Sequence, residues 1–410
     1  MTSTPTRRSQ WQVNLWAIVA AELLTILAFH AALILVPYYI QQMGITDTRS
    51  VSSWTGAYQA VGAVAFAIST PIWGMLGDRY GRKLMLVRAM IATTIVLVLM
   101  GLARTPGQLL VMRVIQGFFT GTPAAASALV AVDAPKKRLA YSLGLVQTSV
   151  FVGASLGPMI GGYVADAWGY RATFFASAVL AGASLLVVSF FVREPAARQG
   201  GVRKSESALV GLRTLLTEGP LLSLTVMVLF INLAFSLLGP VLPLTIQRLV
   251  ANPARLASTA GTISGVFAFT AAAAALVVGR LSDKTGYATM VVICAMGMAL
   301  LYFPQGFAQT AFLLGFLRSL QGFFQGGLAP SINAMVVSAA PLDRAGATIG
   351  ISSSAAAVGT AVGPIIGAML LNSTSETAVF VISGGLFIAI AIAVLLRQQR
   401  SGFTGGEQRL

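Results

Sequence analysis

Residues Gly74 to Leu86 read GMLGDRYGRKLML, a dense knot of charge and glycine between two long apolar runs. The run before it ends near Met75 and the next begins near Leu84. So short a connection between membrane-length segments requires a tight hairpin, and glycine suits tight backbone. Asp78 stands among Arg79, Arg82, Lys83 and Arg88, so the knot is either an organised site or a belt of charge. A weaker version, GRLSDKTG, recurs at Gly279 to Gly286. Gly74 and Gly279 are 205 positions apart, as are Asp78 and Asp283. A loop repeated at half the chain length implies two homologous halves.

Around these loops the chain is 56% hydrophobic and 10% charged, with mean hydropathy +0.81. Soluble domains carry about 25% charged residues. Twelve stretches reach the ~20 apolar residues that a bilayer span needs. They lie at about 14–40, 52–75, 84–103, 107–131, 141–165, 171–192, 220–246, 256–281, 289–308, 310–337, 345–371 and 377–396. Runs this long exclude barrel strands, and open sheet edges cannot face lipid, so the fold is all-α integral membrane. The run from Leu15 is too long for a cleaved signal peptide and lacks a small-residue cleavage site, so it reads as a retained first helix. A lone cysteine, Cys294, excludes an internal disulfide, and one histidine, His30, excludes histidine-rich metal sites. No metal or cofactor is expected.

The organisation follows: a six-helix half over 1–192, a polar linker over 193–219, and a second six-helix half over 220–410. Leu209, Leu212, Leu215 and Leu216 recur at helical spacing within the linker, consistent with a short interfacial helix. One set of loops and ends holds 20 Lys and Arg, the opposite set five, and Arg113 and Arg318 fall inside helices. The positive-inside rule puts both termini and the linker in the cytoplasm, as in a multi-pass inner-membrane protein. The net charge of +15 is then mostly topology, and no basic domain exists for nucleic acid.

Two further repeats support the duplication. Arg113, Gln116, Gly117, Phe118, Phe119 and Gly121 match Arg318, Gln321, Gly322, Phe323, Phe324 and Gly326, again 205 apart. Gly153, Gly157, Pro158 and Gly161 match Gly359, Gly363, Pro364 and Gly367, 206 apart. Six helices is an even number, so the halves run in the same direction, as parallel pseudo-symmetric repeats.

The chain resembles the major facilitator superfamily of transporters over its whole length. The family's hairpin signature is met by Gly74, Leu76, Gly77, Asp78, Arg79, Gly81, Arg82 and Lys83. The second copy has Tyr287 and Ala288 where the first has Arg82 and Lys83. The fourth-helix signature is met by Arg113, Gln116 and Gly117, and the fifth-helix antiporter signature by Gly153, Gly157, Pro158, Gly161 and Gly162. Within the family it is similar to twelve-helix drug/proton antiporters, the MdtG-like and tetracycline-efflux-like group. The resemblance implies a monomer. It also implies that Asp78 docks at the positive start of helix eleven. With Arg82 and Asp133, it would latch the halves when the cytoplasmic side is closed. The alternative is a solvated charge belt that only fixes topology.

Of twelve acidic residues, only Glu22 lies well inside an apolar run. A carboxylate there is costly unless paired, facing a cavity or protonated. It is the candidate for ion coupling and for contact with a cationic substrate; an interfacial or structural role is the rival. His30 lies ~12 Å deeper on the same helix and ~80° round, where it lines the same cavity or makes a structural bond. Arg113 needs an anion, a carbonyl or water; Glu22, His30 and Gln116 are its expected neighbours. Arg318 and Gln321 mirror it, but no intramembrane acid exists in the second half, so proton chemistry is expected in residues 1–192. The Gly153–Gly161 face either packs on helix eight and limits leak, or is ordinary packing. Pro158 and Pro364 are both expected to kink their helices.

Tyr38, Tyr58, Gln59, Gln116, Gln147, Asn232, Phe235, Gln325 and Asn333, with Glu22, form the pool for a substrate cavity, a mostly apolar pocket suited to lipophilic drugs. The expected function is proton-coupled efflux of such drugs by alternating access. Its rivals are export or flipping of one metabolite or lipid-linked sugar, an uptake symporter, and Na⁺ as the coupling ion. An enzyme or scaffold finds no supporting motif cluster.

Overall fold

The computed structural model describes residues 10–194, 219–339 and 345–401, and every regular element among them is helical. Hydrophobic side chains outside water drive this outcome only where each backbone group is bonded within its own segment, as in a helix. The first half comprises α1 (Gln10–Leu33), α2 (Val36–Gln42), α3 (Thr48–Tyr80), α4 (Arg82–Leu102), α5 (Pro106–Phe119), α6 (Thr122–Asp133), α7 (Leu139–Trp168) and α8 (Tyr170–Phe191). The second comprises α9 (Gly219–Ser236), α10 (Val241–Leu249), α11 (Leu256–Thr285), α12 (Tyr287–Gly306), α13 (Ala311–Ala339), α14 (Ala345–Ser373) and α15 (Glu376–Ser401). Among the described residues, eleven segments are long and apolar enough to cross a membrane. The 29-residue α13 is the twelfth long segment; it carries Arg318, Gln321, Gln325 and Asn333. The expected interfacial helix in the linker lies outside the described residues.

Three expected spans are broken. The first helix divides at Ile34–Leu35, where Pro37 opens α2, and the seventh divides before Val241, where Pro240 is the N-cap of α10. Proline lacks the N–H that would continue the preceding turn. These two breaks are pseudo-symmetric. The fourth helix divides at Thr120–Gly121, where Gly121 takes φ +123° and Pro123 starts α6. This break has no counterpart, because α13 runs straight through Gly326.

Glycine stripes set the packing inside each half. Gly153, Gly157 and Gly161 lie against Leu23, Leu27 and Ala31 of α1, and Gly359, Gly363 and Gly367 against Leu229, Leu233 and Leu237 of α9. The expected fifth-helix face divides between two partners, of which one is the expected helix eight, here α11. Residues at i, i+4 and i+8 share one face, and that face meets α1; Pro158 and Gly162, about 100° round, meet α11 instead.

The halves meet chiefly along two seams, α7 with α11 and α3 with α14. Gly261 abuts the Pro158 carbonyl and Gly56 abuts the Pro364 carbonyl, a pseudo-symmetric pair. Gly162 touches Ala257, and the Ser155 hydroxyl donates to the Gly265 carbonyl at 2.9 Å. All these contacts lie toward the end opposite the linker, here called the far end. The same four helices part toward the linker end. A Cβ added at Gly74, Gly144, Gly279 or Gly350 would meet no atom within 4 Å. The bundle is closed at the far end and open at the linker end.

Candidate transport site and gates

Glu22 sits on α1 with 0% exposure. The break at Gly121 brings the start of α6 against it, and the Thr122 hydroxyl donates to Glu22 Oε1 at 3.1 Å. Glu22 Oε2 is buried with no hydrogen-bond partner among the described residues. The carboxyl thus faces the partial positive charge of a helix start and one hydroxyl, with no cation bonded to it.

Arg113 bonds one of its three expected neighbours, Gln116, and rests otherwise on aromatic rings. It donates to Gln116 Oε1 at 2.6 Å, and its guanidinium lies 5.1 Å from the Phe29 ring centroid and 4.9 Å from that of Tyr58. Ring faces supply the negative potential here. Gly62 leaves room for it, since a Cβ there would overlap the guanidinium. Among the described residues no ion pair or hydrogen bond joins Arg113 to Glu22 or His30. The His30 Nδ1 bonds the Ile26 carbonyl at 3.0 Å, and its Cβ packs beside Gly157. Arg318 repeats the arrangement in the second half, donating to Gln321 Oε1 at 3.1 Å with Phe267 4.5 Å away.

The expected cavity residues disperse. Tyr38 is buried in the far-end seam, where its hydroxyl donates to the Pro243 carbonyl at 2.7 Å. Tyr58 is buried under Arg113, with its hydroxyl 3.7 Å from Met100 Sδ. Neither lines an open cavity in this state. Gln59 is half-buried against Gly239. Asn232 donates to Val228 of its own helix, and Phe235 stacks on Phe267 at 5.9 Å. Gln147 and Asn333 are exposed, and Gln325 is half-buried with Oε1 unpartnered.

At the linker end, the side chain of Asp78 lies outside the described residues. Gly81 turns the hairpin with φ +102°, a region that favours glycine. Its missing side chain also admits Glu194, whose carboxylate accepts from the backbone amides of Arg82 at 2.9 Å and Lys83 at 2.7 Å. Glu194 therefore caps α4, a role the sequence reading missed. The Arg82 guanidinium donates to the Ala128 carbonyl, and Lys83 Nζ to the Ser189 carbonyl at 3.1 Å. Asp133 accepts from Asn14 at 2.7 Å, and Arg79 lies over Tyr80. In the second hairpin, Asp283 accepts from Tyr287, which occupies the place of Arg82.

At the far end three further polar contacts among the described residues join the halves, all unforeseen. Gln41 and Gln247 exchange two amide bonds of 2.8 Å. Asp166, in the last turn of α7, accepts from the backbone amides of Ala257 at 3.0 Å and Ser258 at 2.8 Å, in the first turn of α11. Asn372, in the last turn of α14, accepts from Ser52 at 2.8 Å and donates to Ser53 at 2.9 Å, in the first turns of α3.

A family model described as Major Facilitator Superfamily matches residues 18–252 and 224–407. The chain belongs to the major facilitator superfamily. Its relatives include the multidrug resistance protein MdtG of Klebsiella pneumoniae, 32% identical over 95% of this chain and 94% of that one. The MdtG of Escherichia coli is 33% identical over 95% and 96%. The superfamily fold is shared with the nucleoside transporter NupG, at TM-score 0.76, 14% identity and 93% and 98% coverage. It is shared also with a bacterial Spinster homologue in an inward-facing, occupied conformation, at TM-score 0.78, 14% identity and 94% and 96% coverage. As a member of the superfamily, the chain is a multi-pass membrane transporter and not an enzyme.

Proposed function

We propose that this transporter exports lipophilic, cationic drugs in exchange for protons, by alternating access between its two halves. The observation that carries the reading is Glu22, a fully buried carboxyl with, among the described residues, one hydroxyl donor and no cation bonded to it. Such a group is costly to keep ionised in a membrane interior. It therefore holds either a proton or the positive charge of a drug, and the two compete for it. The names of the MdtG relatives support drugs as the substrate class. The charge bias of the loops supports cytoplasmic termini in an inner membrane, so the open linker end faces the cytosol. A drug enters there, displaces the proton, and leaves outward when the far end opens.

Proteoliposomes with an imposed pH gradient test the reading. Wild type should extrude a lipophilic cation, and Glu22→Gln should not. If wild type moves no such cation but carries a single sugar or lipid, the drug reading fails. Efflux by Glu22→Gln at the wild-type rate removes Glu22 from the mechanism, and dependence on a sodium gradient instead would replace the proton.

A further inference from the structure

We infer that Asp166 and Asn372 are a matched pair of clasps that hold the far end of the transporter shut, the first charged and the second neutral. The two residues are 206 positions apart, the offset of the fifth- and eleventh-helix repeats. Their partners obey the same symmetry: Ser52 and Ser53 stand 205 positions before Ala257 and Ser258. Each clasp sits at the last turn of one seam helix and grips the first turns of its mate from the other half. The clasps therefore occur once per seam, on opposite sides of the Gln41–Gln247 contact.

The chemistry of the two differs. Asp166 takes two backbone N–H groups that no turn of α11 can satisfy, because they belong to its first four residues. A carboxylate there gains from ionic hydrogen bonds and from the helix start. Asn372 makes two neutral bonds to serine hydroxyls, and ionic bonds are roughly twice as strong as neutral ones. The α7–α11 seam is thus the stronger. Both clasps must part for the far end to open, since each spans the halves, so both bias the alternating-access equilibrium toward the state described here. The linker-end acids Glu194 and Asp133 act otherwise, bonding within the first half.

The inference rests on the two-state transport reading, but not on the substrate or the ion. Its test uses full-length protein in nanodiscs with nitroxide labels at Thr46→Cys and Ala251→Cys, exposed sites near the far end of each half, in a Cys294→Ala background. Asp166→Ala should raise the ratio of far-end-open to far-end-closed distances about tenfold, the scale of a lost helix cap. Asp166→Asn should fall between, since an amide oxygen still accepts from one N–H while its NH₂ opposes the other. Asn372→Ala should shift the ratio less than Asp166→Ala, and the double variant should show the product of the two. Unchanged distances in Asp166→Ala and Asn372→Ala would overturn the inference, and so would a lowered melting temperature with unchanged distances. Drug efflux is assayed separately: loss of all drug transport with the clasp order intact sinks only the substrate reading.

Discussion

Gln41 and Gln247, 206 positions apart, form a closed ring of two amide hydrogen bonds, each side chain donating to and accepting from the other. Each comes from the short helix that follows a broken long one, α2 in the first half and α10 in the second. Removing either side chain breaks both bonds at once. The single variants Gln41→Ala and Gln247→Ala should lower the melting temperature by similar amounts, and the double variant by no more than either. Additive losses would show that the two side chains act separately.

Thr122 is the one donor to Glu22 among the described residues. Thr122→Val keeps the shape but leaves both carboxyl oxygens without a protein partner. Gradient-driven efflux should slow about tenfold or more, consistent with a lost bond to a group that must change its charge. Thr122→Ser should retain most of the wild-type rate. Equal rates in the valine variant would show that Glu22 works without its hydroxyl.

Gly261 and Gly74 should behave oppositely. A methyl group at Gly261 overlaps the Pro158 carbonyl, whereas one at Gly74 meets nothing within 4 Å. Gly261→Ala should destabilise the far-end-closed state by about 1–3 kcal/mol, the usual cost of overpacking. Gly74→Ala should leave the melting temperature of this state within error. The hairpin glycine matters only when the linker end closes, so its effect should appear in turnover.

Asp47 caps α3 from the loop before it, accepting from the backbone N–H and the hydroxyl of Ser50 at 2.9 Å each. The backbone bond first, and the hydroxyl bond next, hold its carboxyl below the usual carboxylate range. A depressed value contributes stability above the unfolded-state pKa of about 3.9, and that contribution is lost as the pH falls through the folded value. Asp47→Ala should therefore melt slightly lower than wild type at neutral pH. The two curves should converge in strong acid. A constant gap across pH would refute the cap.

The duplication was legible because three repeats survive in the same order at offsets of 205 and 206. The hairpin turn at Gly81, the buried Glu22 and the Arg113–Gln116 pairing were legible for related reasons: each depends on residues close in sequence or on the cost of charge in lipid. What failed were the long-range partners. The Gly153 stripe announces a close helix contact, but its expected partner, helix eight, receives only Pro158 and Gly162, while the stripe itself meets α1. The Thr122–Glu22 bond depends on a helix break at Gly121 that apolar periodicity passes over. Asp166 fell just past the expected fifth span and drew no notice, because its partners are backbone amides, which carry no sequence signal of their own. Only its offset from Asn372 could have flagged it.

Glu22 is the only fully buried carboxylate among the described residues. On the proposed mechanism, each cycle then trades one proton for one drug. A singly charged drug moves outward as a single charge moves inward, so the exchange is electroneutral and blind to the membrane potential. A neutral drug leaves with a net positive charge entering, which the potential favours by about 2.3 kcal/mol per 100 mV. A doubly charged drug faces the same term as a barrier. The number of buried acids thus sets how many charges a substrate can carry and still be exported in an energised cell.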